Sequence, residues 1–411
     1  MGYYIPTFKS GILLTEDMSA EFTAKSLCIL GRQPKLGLAE LESLYGDRHL
    51  KSLAGATLLD VEARDIDFRR LGGTVKVAKL LNVLSIADWS ALEKYLLDNI
   101  PKHLKQLPDG KFTLGISVYG LGVESDQINQ TLLKIKKVIR VSGRPVRVVP
   151  NQTPHLNAAQ VLYNRLVHKG GWELLLVRDG SRTVLAQTLF VQDIEAYAAR
   201  DQARPKRDAR IGMLPPKLAQ IIINLANPPA GSTILDPFCG TGVTLQEAWL
   251  MGYSVIGTDI EERMVEFSAH NLEWLQKQFS KPGAKTFFDH ADATKAHWPP
   301  FDAVASETYL GRPLNNLPPP EKLDKIVRDV NTILEKFLKN LSPQLGKNTP
   351  VSLAVPSWRA DNGSFRRLPL LDQLGRLGYN RVDFKHVARD KLMYFRPGQV
   401  VARELVVLNK L

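Results

Sequence analysis

The chain has 411 residues, 44% hydrophobic and 23% charged, with a formal net charge of +12 and a pI near 9.5. That length exceeds one ordinary core and predicts two or three domains of a soluble globular protein, and the basic excess favours a polyanionic partner. No apolar run is long enough for a bilayer, and the N-terminal residues lack a basic head, an apolar stretch and a cleavage site, so the expected location is the cytoplasm. Cys28 and Cys239 lie far apart without a Cys-x-x-Cys, which supports neither a disulfide framework nor a cysteine zinc site. His290 and His297 lack helical metal spacing, so no metal is expected. The charge is concentrated. Residues 101–150 hold nine Lys+Arg against three Asp+Glu, and residues 351–411 hold eleven against five, which reads as a footprint or as solvated helix faces.

In chain order, residues 1–22 show little periodicity and read as an arm or an edge strand. A strand over 26–30 precedes a helix with Leu38, Leu41 and Leu44 on one face, ended by Gly46. Residues 58–62 read as a strand, and 76–84 mix helix and strand signals. Leucines at helical spacing over 89–100 and alternation over 111–119 predict a helix and a strand. Ser125 is the expected cap of a helix to Val141, with Ile128, Leu132, Ile135 and Ile139 inward and Lys134, Lys137 and Arg140 largely outward. Strands follow at 146–149, 173–177 and 183–191. Residues 195–212 carry Arg200, Arg204, Lys206, Arg207 and Arg210 without apolar periodicity and read as a basic interdomain linker able to touch RNA.

From Met213 on, helices and strands alternate. Helices are expected from 213 through Leu225, over 261–279, 321–341 and 368–377, and strands near 286–288, 301–305 and 351–355, with 381–387 and 393–408 as a closing antiparallel pair. The pattern predicts a mainly parallel sheet with helices on both faces.

The chemistry centres on Ile234-Leu235-Asp236-Pro237-Phe238-Cys239-Gly240-Thr241-Gly242. An apolar strand ends in an acid, breaks into a glycine turn and runs into a helix. Glycines 240 and 242 allow positive φ and bring main-chain N–H groups to a ligand at the helix start. The absence of Gly-Lys-Ser/Thr argues against a phosphate loop. Asp259 ends the next strand, placed to accept from ribose hydroxyls, with Ile260 beside it. Asp292, followed by Ala293, is the candidate acceptor for an adenine amino group, a plain loop acid being the alternative. Cys239 reads as a small residue that fits the turn. Trp358 reads as packing before base contact, and Arg366-Arg367 as a solvated face before phosphate contact.

Asp-Pro-Phe-Cys-Gly-Thr-Gly followed by a strand-end Asp resembles the S-adenosylmethionine site of amino methyltransferases acting on nucleic-acid bases. With residues 31–43, the order and length of 60–194, and the Arg204-Pro205 to Asn224 stretch, the chain resembles the THUMP-domain RNA guanine-N2 methyltransferases. The likeness is greatest to the archaeal and eukaryotic kind that act on guanosine ten of tRNA. The resemblance implies a ferredoxin-like domain over 1–60, a THUMP-like RNA-binding domain over 61–194, the linker, and a Rossmann-like class I methyltransferase domain over 213–411. It implies S-adenosylmethionine held by Asp236, Phe238, Gly240, Thr241, Gly242, Asp259, Ile260, Asp292 and Ala293, and tRNA gripped by Lys134, Lys137, Arg140, Lys206, Arg207 and Arg210. The chain is expected to be a monomer, with room for a small activating subunit.

The base site departs from the family pattern. Where the family has Asp-Pro-Pro-Tyr-Gly, this chain has Ser306-Glu307-Thr308-Tyr309-Leu310-Gly311-Arg312. A gapless register puts Glu307 on the acid, and a shift by one puts Ser306 there and Tyr309 on the aromatic. The gapless register makes Glu307, Thr308 and Tyr309 the catalytic candidates. An RNA-binding protein with a retained cofactor pocket and a decayed base site, or an adenine-N6 methyltransferase, stays open as an alternative.

Overall fold

The computed structural model describes residues 22–104, 110–208, 213–279, 284–360 and 362–411. The expected N-terminal arm, Phe22 apart, and Arg210 lie outside them. The chain forms two compact units. Among the described residues the first comprises those within 22–34, 48–69 and 74–194, and the second those within 35–47, 70–73 and 195–411.

The elements run in this order: β1 (Ser26–Leu30), α1 (Pro34–Tyr45), β2 (Leu50–Leu53), β3 (Ala56–Leu59), β4 (Thr74–Leu84), α2 (Trp89–Leu104), β5 (Phe112–Tyr119), α3 (Ser125–Val141), β6 (Val146–Val148), α4 (Ala158–Tyr163), β7 (Gly171–Asp179) and β8 (Arg182–Val191). The eight strands make one sheet, ordered β2-β3-β1-β4-β8-β7-β5-β6, in which β5 runs parallel to β6 and β7 and the other neighbours are antiparallel. The mixed signal over 76–84 resolves as strand β4. Its inward Lys76 looks helical and polar in sequence, yet it is 2% exposed and ion-paired with the buried Glu173. Leu92, Leu96 and Ile100 of α2 and Ile128, Leu132, Ile135 and Ile139 of α3 cover β5 in one apolar core. The cap of α3 falls one residue before the expected Ser125, because Glu124 N–H donates to Gln127 Oε1.

The second unit contains α5 (Ile194–Gln202), α6 (Pro216–Ala226), β9 (Thr233–Asp236), α7 (Val243–Leu250), β10 (Ser254–Asp259), α8 (Glu262–Gln278), β11 (Thr286–His290), β12 (Ala303–Glu307), α9 (Pro320–Leu341), β13 (Val351–Arg359), β14 (Phe365–Arg366), β15 (Tyr379–Arg381), β16 (Met393–Tyr394) and β17 (Val401–Lys410). The main path is β11-β10-β9-β12-β13-β17-β15, parallel from β11 to β13 and closed by antiparallel β17. The stretch read as a basic linker over 195–212 begins with helix α5, which buries no residue of its own and is held by polar contacts: Arg200 on Glu247 and Tyr197 on Gln220. Two expectations need correction. The helix expected over 368–377 is two 3-10 turns, Pro369–Asp372 and Leu374–Leu377, broken at Gln373. The closing pair is centred on β17, which aligns eight residues with β13, while the expected 381–387 strand is replaced by the earlier β15 and shares only Arg381 with it.

Helix α1 packs within the second unit through Glu40, which is fully buried. Its carboxylate accepts from Gly72 N–H at 2.9 Å, Gly73 N–H at 2.8 Å and Asn224 Nδ2 at 2.7 Å. Close approach demands glycine here, because a Cβ on Gly72 would lie 2.0 Å from the Lys217 carbonyl oxygen. Gly72→Ala is therefore expected to destabilise the second unit by about 2 kcal/mol or more, measured as a lowered denaturant midpoint with unchanged slope.

Candidate functional site

In an open α/β sheet the ligand crevice lies beyond the carboxyl ends of the strands, where the strand order reverses. Here the chain runs outward from β9 through β10 to β11, then crosses back to β12 on the other side of β9. The candidate residues sit at that reversal. Asp236 ends β9, Asp259 ends β10, Asp292 and Ala293 follow β11, and Glu307 ends β12.

The turn after β9 is built as the glycines predict. Gly240 has φ +51 and Gly242 φ +81. A Cβ on Gly240 would meet nothing within 4 Å, whereas one on Gly242 would strike Ser268 of α8. Gly240 thus lines open space at the start of α7, and Gly242 lets the turn close against α8. Asn271 of α8 donates to the Thr241 carbonyl at 2.9 Å. Asp259 accepts from Gly240 N–H at 2.9 Å and from Glu261 N–H at 3.0 Å, and burial raises its pKa. Ile260, 64% exposed, offers an apolar face beside it. Asp292 is held by Thr294 N–H and Oγ1, bonds that keep its carboxyl below the ordinary range, and Ala293 is buried. Open space over Gly240, a helix start, an exposed aliphatic side chain and acceptor carboxylates suit a ligand with a charged amino acid end, a ribose and a flat base.

Asp236 is 2% exposed. It accepts from Ser306 Oγ at 2.6 Å and Phe238 N–H at 3.2 Å, with Thr244 a further partner, and burial pushes its carboxyl up to about 7. Asp236 therefore braces the turn against β12. Phe238 packs edge-on against Phe337 at 5.0 Å, and Trp298, which the sequence gave no reason to single out, donates to Thr258 Oγ1 beneath the same turn. Cys239 is buried, and burial raises its thiol, which suits packing and not nucleophilic chemistry.

The strand carrying the base-site candidates ends two residues later than expected, at Glu307. Ser306 points inward, 0% exposed, onto Asp236, so the acid at the rim is Glu307. Thr308 is buried with its N–H on the Ala354 carbonyl, and Tyr309 is 43% exposed. Glu307 Oε1 accepts from Arg403 Nε of β17 at 2.5 Å. No motif announced Arg403, which lies 96 residues away in sequence.

The basic candidates are placed separately. In the first unit, Lys134 pairs with Glu93, while Lys137 and Arg140 are exposed on α3. In the second unit, Lys206 is half-buried, exchanges backbone bonds with the Asn271 side chain and lays its ammonium over the Phe267 ring, and Arg207 is exposed. Arg200 and Arg204 of the same stretch are turned inward. Trp358 is fully buried in the core, and Arg367 ion-pairs with the buried Glu404. Among the described residues no group of three acidic, histidine or cysteine side chains is disposed to hold a metal, and no helix is long and apolar enough to cross a membrane.

A family model described as DNA methylase matches residues 193–270. The tRNA (guanine(10)-N2)-dimethyltransferase of Methanothermobacter thermautotrophicus is 44% identical over 107 residues, 25% of this chain and 30% of that protein. The protein of the same description from Pyrococcus abyssi is 41% identical over 100 residues, 24% of this chain and 29% of its own length. The chain thus matches less than a third of the length of these curated relatives. Among solved structures, TrmN from Thermus thermophilus aligns over 94% of this chain and 99% of its own, with a TM-score of 0.51 and 17% identity. That likeness concerns the fold, which is an α/β fold of the class I S-adenosylmethionine methyltransferase type with mixed sheets.

Proposed function

We propose that the chain is an S-adenosylmethionine-dependent RNA methyltransferase acting on the exocyclic N2 amine of a guanine in tRNA, at position 10 by analogy with the names of its relatives. The observation that carries this reading is the convergence of Asp236, Asp259, Asp292 and Glu307 on neighbouring strand ends at the reversal of strand order. Asp236, Phe238, Gly240, Thr241 and Gly242 would form the wall for the methionine end of the cofactor, Asp259 and Ile260 that for the ribose, and Asp292 and Ala293 that for the adenine. Bound there, S-adenosylmethionine supplies an electrophilic methyl group on a sulfonium.

The protein's part is to make a poor nucleophile competent. The lone pair of a guanine amine is delocalised into the ring, and acceptors placed on its two hydrogens return density to nitrogen. Glu307 is the carboxylate acceptor and the Thr308 carbonyl the second, while the exposed Tyr309 ring offers a stacking face for the base. Lys137, Arg140, Lys206 and Arg207, with Lys134 and Arg210, would meet the phosphate backbone and position the RNA without reading its bases. The 61–194 stretch is the proposed docking module.

A tRNA transcript and its counterpart with inosine at position 10 provide the test, since inosine lacks the 2-amino group. Methyl label entering the first and absent from the second supports the reading. Equal labelling of both, or label on adenine, overturns it.

A further inference from the structure

Glu307 occupies the position at which the proposed reaction needs an ionised acceptor of fixed aim, yet two features work against it. Its neighbour Thr308 lacks the fixed φ that proline would bring, and burial raises the Glu307 pKa. Arg403 opposes both. Glu307 pairs with Ala354 of β13, which in turn pairs with Leu405 of β17, so the Arg403 side chain reaches across β13 to meet Glu307 Oε1. The side chain of Arg403 is 5% exposed and that of Glu307 16%. The carboxylate is thus the more open member of the pair, with the guanidinium behind it.

The register of β17 fixes that guanidinium. Successive side chains of a strand point to opposite faces, and Glu404, the next residue, is fully buried in ion pairs with Arg367 and Arg381. Turning Arg403 away would require breaking that triad or shifting the strand. The Tyr394 ring, on β16 opposite Arg403, lies 6.0 Å from the guanidinium carbon. Other charges face elsewhere. Asp236 on β9 is engaged by Ser306, and Lys217, the single charged residue of α6, lies over the Tyr197 ring. Arg359 at the end of β13 lies over Phe395. Among the described residues Arg403 is the sole hydrogen-bond partner of the Glu307 carboxylate, engaged through Oε1.

Resting on the function proposed above, we propose that Arg403 is a positioning residue, which keeps Glu307 ionised and holds that carboxylate toward the incoming amine, supplying the restraint that a proline at position 308 would otherwise give. Charge and aim are separable in two variants. Arg403→Gln removes the charge, so the acidic limb of the pH–rate profile should move up by about one pH unit or more. Arg403→Lys keeps a charge but loses the planar fork, so kcat should fall about 10- to 100-fold while the limb stays near its wild-type position.

The experiment measures pH–rate profiles of methyl transfer to tRNA for both variants. It is accompanied by carbon-13 carboxyl titration of Glu307, assigned with Glu307→Gln, and by S-adenosylhomocysteine affinity as the check on folding. The expected result is a raised Glu307 titration and a raised acidic limb in Arg403→Gln only, at unchanged cofactor affinity. Equal losses of kcat in both variants, with an unmoved limb and an unmoved titration, would overturn the inference. A titration that shifts as expected in Arg403→Gln, while the wild type transfers no methyl group to RNA, would overturn the proposed function instead.

Discussion

Replacing Glu307 by alanine is expected to lower kcat for methyl transfer about 100- to 10,000-fold while leaving cofactor affinity within about twofold of the wild type. The asymmetry follows from position. Glu307 ends β12 at the rim, with its carboxylate on Arg403, whereas the turn around Gly240 is braced separately by Asp236 and Asp259. Calorimetry with S-adenosylhomocysteine, run beside single-turnover labelling, reads the two quantities independently. A variant that loses cofactor binding along with activity would mean that Glu307 supports the turn, and a variant that keeps activity would remove it from the reaction.

The second large effect concerns stability. Glu40→Ala leaves the N–H groups of Gly72 and Gly73 and the amide of Asn224 without their acceptor in a fully buried place. Asn224 Nδ2 keeps its bond to the Arg70 carbonyl, so two donors are orphaned at about 1–3 kcal/mol each, and a loss of about 2–6 kcal/mol is expected, read as a lowered midpoint of chemical unfolding. The wild type should carry a pH signature of the same group. Burial raises the Glu40 carboxyl from its ordinary value of 4.5 to about 7. Between those values the folded chain holds a proton that the unfolded chain has released, so this contribution to stability is complete below about pH 4.5 and is lost as pH rises through 7. The span is at most about 3 kcal/mol. Asp236, raised to about 7 by burial as well, acts in the same direction. Unfolding free energies at pH 5 and pH 8 should therefore favour the lower pH, and Glu40→Gln should flatten the part due to Glu40.

The backbone of the candidate site was legible in sequence where local chemistry is strict. Glycine turns at 240 and 242 demand positive φ, and an acid ending an apolar strand has few other uses, so Asp236 and Asp259 could be placed without a structure. What was not legible depends on partners distant in sequence. Arg403-Glu404 reads as an ordinary charged pair, yet the pleat sends one residue to Glu307 and the other into a buried triad with Arg367 and Arg381. Arg200 reads as a basic linker residue, yet it is the partner of the buried Glu247. Lys76 blurred the pattern of β4 because its partner, Glu173, lies on another strand. The leucine spacing over 368–377 marked buried positions correctly at Leu370, Leu371 and Leu374, but the backbone there is two 3-10 turns and not one α-helix.

The most direct test of the central claim is transfer of labelled methyl groups from S-adenosylmethionine to total tRNA from a strain lacking the gene, followed by nucleoside analysis. The account predicts label in N2-methylguanosine or its dimethyl form, abolished by Glu307→Ala. Label confined to another nucleoside, or none in RNA while cofactor and tRNA both bind, would contradict it.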